Sequence, residues 1–493
     1  MVDARGLSSC GLPFCRSYVL LILAASQCFA QFSGAIQGTV TDNSKASVPE
    51  ATVTATNTAT GIVRTAKTSP EGFYRISNLS PGSYNLAVEK TGFATSKLEG
   101  LQVDVTETVK SDFTLTVGTV SEQVQVKAEA PLLETEQGRI SGEVDQMQLG
   151  EIPLNGRNSF NLIALQPGMV GRGQSVSMGS QGGGNDSFAG ETEVVIYASG
   201  QRLQSNSYTI DDTSVNSVAY GGTVNTVPNS ESIQEIRVVS NNFSAEDGRN
   251  AGARVQVTTK AGTNVFHGTL FWYNQNDAMT ARNVFATTVP NIRKNQFGYA
   301  VGGPIFKNRT FFFTTFEGLQ QSGSPAQTYT VETPQFRDMV AAQFPNSVAA
   351  YLFTHYKPAA DPTFGFQNLG TPVPGGGPLS AGPANGVPVI GNVNFQPDSF
   401  RHGKQFNGRV DHELRPGKDK IYATFYRTDL VSQAGGIRPE FNRAIDELTN
   451  FGNINETHIF APNLINEFRG GVSQLNGNEE NTNLSVPLIN ISG

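Results

Sequence analysis

Residues 405–414 read QFNGRVDHEL. Phe406, Gly408 and Val410 share one parity, and Gln405, Asn407, Arg409, Asp411 and Glu413 take the other. Side chains of a strand point to opposite faces in turn, so one face here is apolar or tiny and the other is charged. Residues 295–303 repeat the pattern: Phe297, Tyr299 and Val301 alternate with Gln296, Gly298, Ala300 and Gly302. In residues 464–474, Leu464, Phe468 and Val472 stand against Glu467 and Arg469. A soluble sandwich also alternates, but two details favour a membrane-spanning barrel. The polar face carries charges of both signs, as a water-facing lumen requires. Aromatic residues also cluster near strand ends (Phe271, Trp272, Tyr273; Phe311, Phe312, Phe313; Phe425, Tyr426), like the girdles at a lipid–water boundary. From Gly262 onward the chain holds 22 of its 31 Phe and its only Trp.

Composition supports extended structure. Only 16% of the 493 residues are charged and 38% are hydrophobic, while Gly numbers 52. A net charge of −7 argues against nucleic-acid binding, which needs a basic surface. The three cysteines, Cys10, Cys15 and Cys28, lie in a stretch that reads as a secretory signal over residues 1–30. Arg5 and Arg16 supply charge, YVLLILAA (18–25) is too short to span a bilayer, and small residues Cys28 and Ala30 precede the expected cut. The mature chain is then free of cysteine, which excludes disulfides and thiolate metal sites.

Residues 34–118 hold short alternating segments (35–40, 52–56, 74–76, 84–88, 102–105) separated by turns such as Thr60-Gly61, Glu71-Gly72 and Pro81-Gly82. Many short strands with polar turns predict a β-sandwich. The run GAIQGTVTD…VPEATVTATNTATG…TSPEGFYRISNLSPGSYNLAVEKTGF resembles the carboxypeptidase-regulatory-like family, which implies a transthyretin-like, carbohydrate-binding-like sandwich over 31–118. Glycan contact and an inert spacer are both open for it.

Residues 120–260 mix strand-like segments with a short helix pattern at Phe160, Leu162, Ile163 and Leu165, and with a Gly/Ser-rich stretch, Val170–Gly190. From Val120 onward the chain resembles TonB-dependent outer-membrane receptors of the Oar-like group. IPLNGRNSFNLIALQPG (152–168) resembles the plug signature, with Leu154, Asn155, Gly156 and Arg157 as its turn; SGQRLQSNSYTIDD (199–212) resembles a second plug segment, but has Ser199 and Asp212 where that pattern has Asn and Gly. The strongest match, residues 229–277, carries the plug-to-barrel junction residues Glu246, Gly248, Arg249, Gly262, Thr263, Asn264, His267 and Gly268. NQFGYAVGGPIFKNRTFFFTTFEG (295–318) matches the first barrel hairpins, with Gly302-Gly303-Pro304 and Lys307-Asn308 at its turns. SEQVQVKA (121–128) resembles the box that adds a strand to TonB; Glu122, Val124, Val126 and Ala128 are its candidate residues, an ordinary plug or linker strand being the alternative.

The expected architecture is therefore mainly β: signal peptide, sandwich, an α+β plug over 119–261, and part of a transmembrane antiparallel barrel over 262–493. A long loop is expected at 321–400, where 11 of the 25 Pro fall. The resemblance implies a 22-stranded barrel, and the residues from 262 onward suffice for six to ten strands. The sequence is thus expected to be a C-terminally truncated piece. None of the five His stands in a zinc-enzyme spacing, and no nucleophile elbow or phosphate loop is present, so neither an enzyme nor a cofactor is expected. The resemblance implies an outer-membrane receptor that takes up a large or scarce nutrient (oligosaccharide, peptide or metal chelate). Its partners would be the TonB complex and outer-membrane lipid. The alternative is a non-transporting surface protein that binds carbohydrate or matrix.

Overall fold

The structure is a computed structural model. It describes residues 34–104, 107–118, 123–127, 140–154, 156–174, 186–188, 190, 192–218, 221–241, 251–282, 289, 291–323, 326–368, 387–415, 418–461 and 464–481. The expected signal segment, residues 1–30, lies outside them.

The first unit is a two-sheet sandwich. One sheet runs Phe73–Leu79, Gly34–Asp42, Thr108–Lys110, with Phe113–Leu115 also on Gly34–Asp42. The other runs Val63–Lys67, Thr52–Asn57, Gly82–Glu89, Thr95–Val103 and, outermost, Gln123–Lys127. Alternate residues Val53 and Ala55, Leu86 and Val88, and Ile36 and Val40 fill one core between the sheets. Burial of each Val, Leu or Ile side chain here is worth about 1.5–3 kcal/mol. Tyr74 closes the core and donates its hydroxyl to Ser111 O at 2.6 Å.

The middle unit has a five-stranded sheet in the order Ile140–Val144, Ile233–Asn241, Arg254–Thr259, Ser207–Ile210, Thr213–Ser214. A three-stranded sheet pairs Met169–Gln174, Thr192–Ala198 and Thr223–Val224. The start of the Gly/Ser-rich stretch is thus strand, while residues 175–185, 189 and 191 lie outside the described residues. Helix Gln146–Glu151 starts at Asp145, whose side chain accepts from Gln148 N. The helix pattern at 160–165 is a 3-10 turn, Ser159–Leu165, that buries Phe160, Leu162 and Ile163.

The third unit is a seven-stranded antiparallel sheet in simple sequential order: His267–Gln275, Arg293–Phe306, Thr310–Ser322, Phe400–Arg415, Asp419–Ala434, Arg443–Ala461, Leu464–Asn481. Connections at one end are two or three residues long; at the other they span 276–292, 323–399 and 435–442. Burial along the strands is inverted relative to a soluble sheet. Gln405, Asn407, Arg409, Asp411 and Glu413 are at most 6% exposed, whereas Phe406 and Val410 are 40% and 45% exposed. Leu270, Trp272, Ile454, Phe468 and Val472 are exposed as well. Among the described residues no helix is long and apolar enough to cross a membrane.

Three expectations change. Gly302-Gly303-Pro304 is not a turn but part of the Arg293–Phe306 strand, which breaks register beside Pro304. A Cβ on Gly303 would stand 2.3 Å from the Phe266 ring, so the small residues make room for neighbouring aromatics. Only Lys307–Arg309 turns, with Asn308 at φ 60. Of the expected girdle, Phe311, Phe313 and Tyr426 are buried, because their parity faces the middle unit. The stretch 321–400 is largely regular: strands Gln327–Glu332, Phe364–Asn368 and Pro388–Phe395, and helices Pro334–Gln343 and Val348–His355. Thr333 and Ser347 cap these helices, and Val331, Val393 and Ile437 form a small core. Residues 369–386 lie outside the described residues.

Candidate functional site

The inward face of the seven-stranded sheet grips the middle unit through buried polar side chains. Arg401 pairs with Asp186 at 3.0 Å, and both are buried. Gln405 donates to Val227 O at 2.9 Å and to Ser187 O at 3.3 Å. Arg409 donates to Thr259 O at 3.0 Å and pairs with Asp411 at 2.8 Å and Asp211 at 3.4 Å. Thr424 donates to Asp211 Oδ2 at 2.8 Å, and Asn453 donates to Asp211 O at 3.3 Å. Tyr426 and Phe451 complete the apolar core of the middle unit, and Tyr426 donates to Ser232 Oγ at 3.0 Å.

Asp211 and Asp212 both have positive φ, 43° and 63°. Asp and Asn tolerate this region better than other non-glycine residues. The turn therefore survives without the family's glycine, and the substituted carboxylate is used: Asp212 pairs with Arg254 at 3.0 Å and with Arg469. Ser199, at φ 48°, keeps a turn with Gly200 in the same way.

Of the signature turn, Leu154 packs on the core, and Gly156 and Arg157 follow at φ 79° and 58°. Asn155 lies outside the described residues. Gly156 O accepts from Gln296 Nε2 at 3.4 Å. The Arg157 guanidinium sits over Tyr273 and Phe271 at 4.3 and 4.6 Å and pairs with Glu231 at 3.1 Å and Glu317 at 3.6 Å. A cleft of about 420 Å³ opens beside it, lined by Leu154, Arg157, Tyr273, Lys294 and Gln296.

At the short-turn end one of the expected junction residues, Asn264, binds the sandwich. Gly262 is obligatory: a Cβ there would lie 2.3 Å from Phe312 O. Thr263 Oγ1 donates to Val265 O at 2.9 Å, and His267 Nδ1 lies 3.3 Å from Thr263 Oγ1. A Cβ on Gly268 would stand 2.6 Å from Ala300 O. Asn264 N donates to Ala59 O at 3.0 Å and Asn264 Nδ2 to Thr60 O at 2.5 Å, while its Oδ1 accepts from Asn308 N at 2.8 Å. Glu246, Gly248 and Arg249 lie outside the described residues. Residue motifs did not disclose two further bonds across this contact. Arg64 NH2 meets both oxygens of Glu413 at 3.1 and 3.2 Å, with both side chains buried, and Lys420 donates to Ser80 Oγ at 2.7 Å. The parity of Glu413 was the available signal: a charge on the inward face needs a partner. A cavity of about 210 Å³ remains among the three units, lined by Asn57, Thr259, Gly262, Arg409 and Tyr422.

The box segment is already paired. Val124 and Val126 stand opposite Ser96 and Leu98 in a parallel ladder, so Gln123–Lys127 forms the sandwich's edge strand. Glu122 and Ala128 lie outside the described residues. Just past the end of the Thr95–Val103 strand, Asp104 of the sandwich meets Glu143 and Glu235 of the middle unit. Burial, reinforced by Asp104 and opposed by Arg237, pushes the Glu143 carboxyl up to about 7.

Two family models match the chain: "Carboxypeptidase regulatory-like domain" over residues 35–116 and "Outer membrane beta barrel domain" over 258–493. The "TonB-dependent transporter Oar" of Myxococcus xanthus is 28% identical over 309 residues, which is 60% of this chain and 27% of that protein. The chain thus spans about a quarter of that relative's length. Among solved structures, the siderophore receptor PirA from Acinetobacter baumannii aligns with 69% of this chain and 45% of its own at 12% identity and a TM-score of 0.36. The outer membrane transporter YddB from Escherichia coli aligns with 65% and 37% at 10% identity and a TM-score of 0.39. The curated relative is a transporter and not an enzyme. Over 60% of its length the chain is similar to the TonB-dependent transporter Oar, and its match to a carboxypeptidase regulatory-like domain lies ahead of its match to an outer membrane beta barrel domain.

Proposed function

We propose that the chain acts in TonB-driven uptake of a large or scarce nutrient (an oligosaccharide, peptide or metal chelate) across the outer membrane. In this reading residues 1–30 are a cleaved export signal, 31–118 a periplasmic sandwich, 119–261 a plug, and 262–493 barrel wall. The observation that carries it is the inverted burial of the Phe400–Arg415 strand. Its polar parity is buried against the middle unit and its apolar parity is exposed. Such a wall suits hydrocarbon outside and a hydrogen-bonded plug inside.

The polar grip suits a plug that must move. Ion pairs and hydrogen bonds can be re-formed with water when the two surfaces part, whereas a continuous apolar interface could not be wetted cheaply. Arg157 spans the two bodies, since Glu231 is in the middle unit and Glu317 on the wall. Pulling on Gln123–Lys127 would load the segment that leads into Ile140–Val144, an edge of the plug sheet.

The test is growth and nutrient uptake by cells whose full-length gene lacks codons 122–128. Loss of uptake to the level of cells treated with a protonophore is expected. Unchanged uptake of every candidate nutrient would leave a surface-binding protein as the better reading.

A further inference from the structure

A second side-chain cluster lies at the short-turn end, on the outward face of the wall and away from the grip. Glu456 and His458 stand two residues apart on the Arg443–Ala461 strand, which puts both on one face. Asp419, the first residue of the neighbouring strand, is directly opposite His458. One carboxylate oxygen of each acid and one imidazole nitrogen lie within 4.8 Å of one another. The Asp419 side chain is 8% exposed and contacts His458 Nδ1. Its other neighbour, Arg415, is 3.3 Å away on a side chain 73% exposed, which can swing into solvent. Glu456 makes no ion pair among the described residues. The His458 ring stands edge-on to Phe460 at 4.1 Å, which holds its plane.

Two carboxylates and an imidazole form the donor set of a three-ligand zinc site with an open fourth position. Donors around a tetrahedral zinc stand about 3.4 Å apart, so side-chain rotation alone closes this cluster. The nitrogen donor selects a transition metal over calcium or magnesium, which prefer oxygen alone. We propose that Asp419, Glu456 and His458 bind one divalent transition-metal ion, zinc above all, as a clip between two adjacent wall strands. The proposal stands apart from the uptake reading.

The probe is zinc chloride, titrated calorimetrically into the full chain in detergent after chelator treatment. One zinc per chain is expected, with affinity lowered about tenfold or more in both His458→Ala and Glu456→Gln. His412→Ala, on the next strand, should bind like the parent. Cobalt should give visible d–d bands in the parent and lose them in Glu456→Gln, which keeps the shape of the side chain if His458→Ala misfolds. A parent that binds no zinc, or a folded Glu456→Gln chain with parental affinity and bands, overturns the site.

Discussion

Arg64 and Glu413 come from units 349 positions apart in the chain, yet their charged groups meet with both side chains buried. A buried pair is a poor source of net stability, but removing one partner leaves a charge in a dry site at a cost of about 3–5 kcal/mol. Arg64→Ala should therefore loosen the sandwich from the wall. Hydrogen exchange at Ala59–Gly61 and at Asn264 should rise while the sandwich core stays protected. Adding Glu413→Gln should recover part of the loss, since the orphaned charge is gone. Equal exchange in the parent and Arg64→Ala would mean that the pair does not hold the docked state. Little of this contact was legible in advance. Asn264 was readable as a junction residue, but its Nδ2 donates to Thr60 O, 204 positions upstream. Motif order carries no information about such a partner. Asp212 is the opposite case: it looked like a defect in a glycine turn, and its carboxylate gathers Arg254 and Arg469.

Strand parity was the most legible property at the level of elements, because it depends only on backbone geometry. Phe406 and Val410 face out and Arg409 and Asp411 face in, as the alternation alone requires. Turn signals were less dependable. Gly302-Gly303-Pro304 has turn composition, but the aromatic rings of Phe266 and Phe313 claim the space beside the glycines and the strand continues. Proline density likewise concealed the capped helices after Thr333 and Ser347. The edge strand Gln123–Lys127 was readable as extended, while its parallel partner Thr95–Val103 was not. Where Asp104 of the sandwich meets the middle unit, Glu143 makes the contact sensitive to pH. Its pKa is raised to about 7 from 4.5, so between these values the folded chain holds a proton that the unfolded chain releases. The contact is therefore strengthened as pH falls from 7 towards 4.5 and is weakened as pH rises through 7. The groups facing Glu143 are Asp104, Glu107, Asp145, Glu235 and Arg237. Thermal melts between pH 5 and 8 should show a falling midpoint, and Glu143→Gln should flatten that slope. A midpoint that rises over the range would contradict the assignment.

For the molecule as a whole, the decisive feature is which side of the wall meets which medium. The seven strands present Leu270, Trp272, Phe425, Ile454, Phe468 and Val472 outward, each exposed by at least two fifths. A contiguous apolar surface of this kind is untenable in water for a protein on its own. On the opposite face Arg401, Gln405, Arg409 and Thr424 bond to the middle unit, so turning the wall round would bury apolar residues against Asp211 and strand the inward charges. Two measurements follow. Purified without detergent, the chain should aggregate; in micelles it should be monodisperse and rich in β structure. Phe425 lies in mid-strand, opposite Gly408 and Gly452. Phe425→Arg should then lower stability in a bilayer by about 2–4 kcal/mol, the cost of a cation near the midplane on a lipid-facing strand. An inward change, Thr424→Val, tests the other face without adding charge: it removes the bond to the buried Asp211 carboxylate and should cost about 1.5–3 kcal/mol, in lipid or micelle alike. If the parent stays folded and monodisperse in plain buffer, and Phe425→Arg is tolerated there and in lipid, the outward aromatics do not face hydrocarbon and the wall is not a membrane wall.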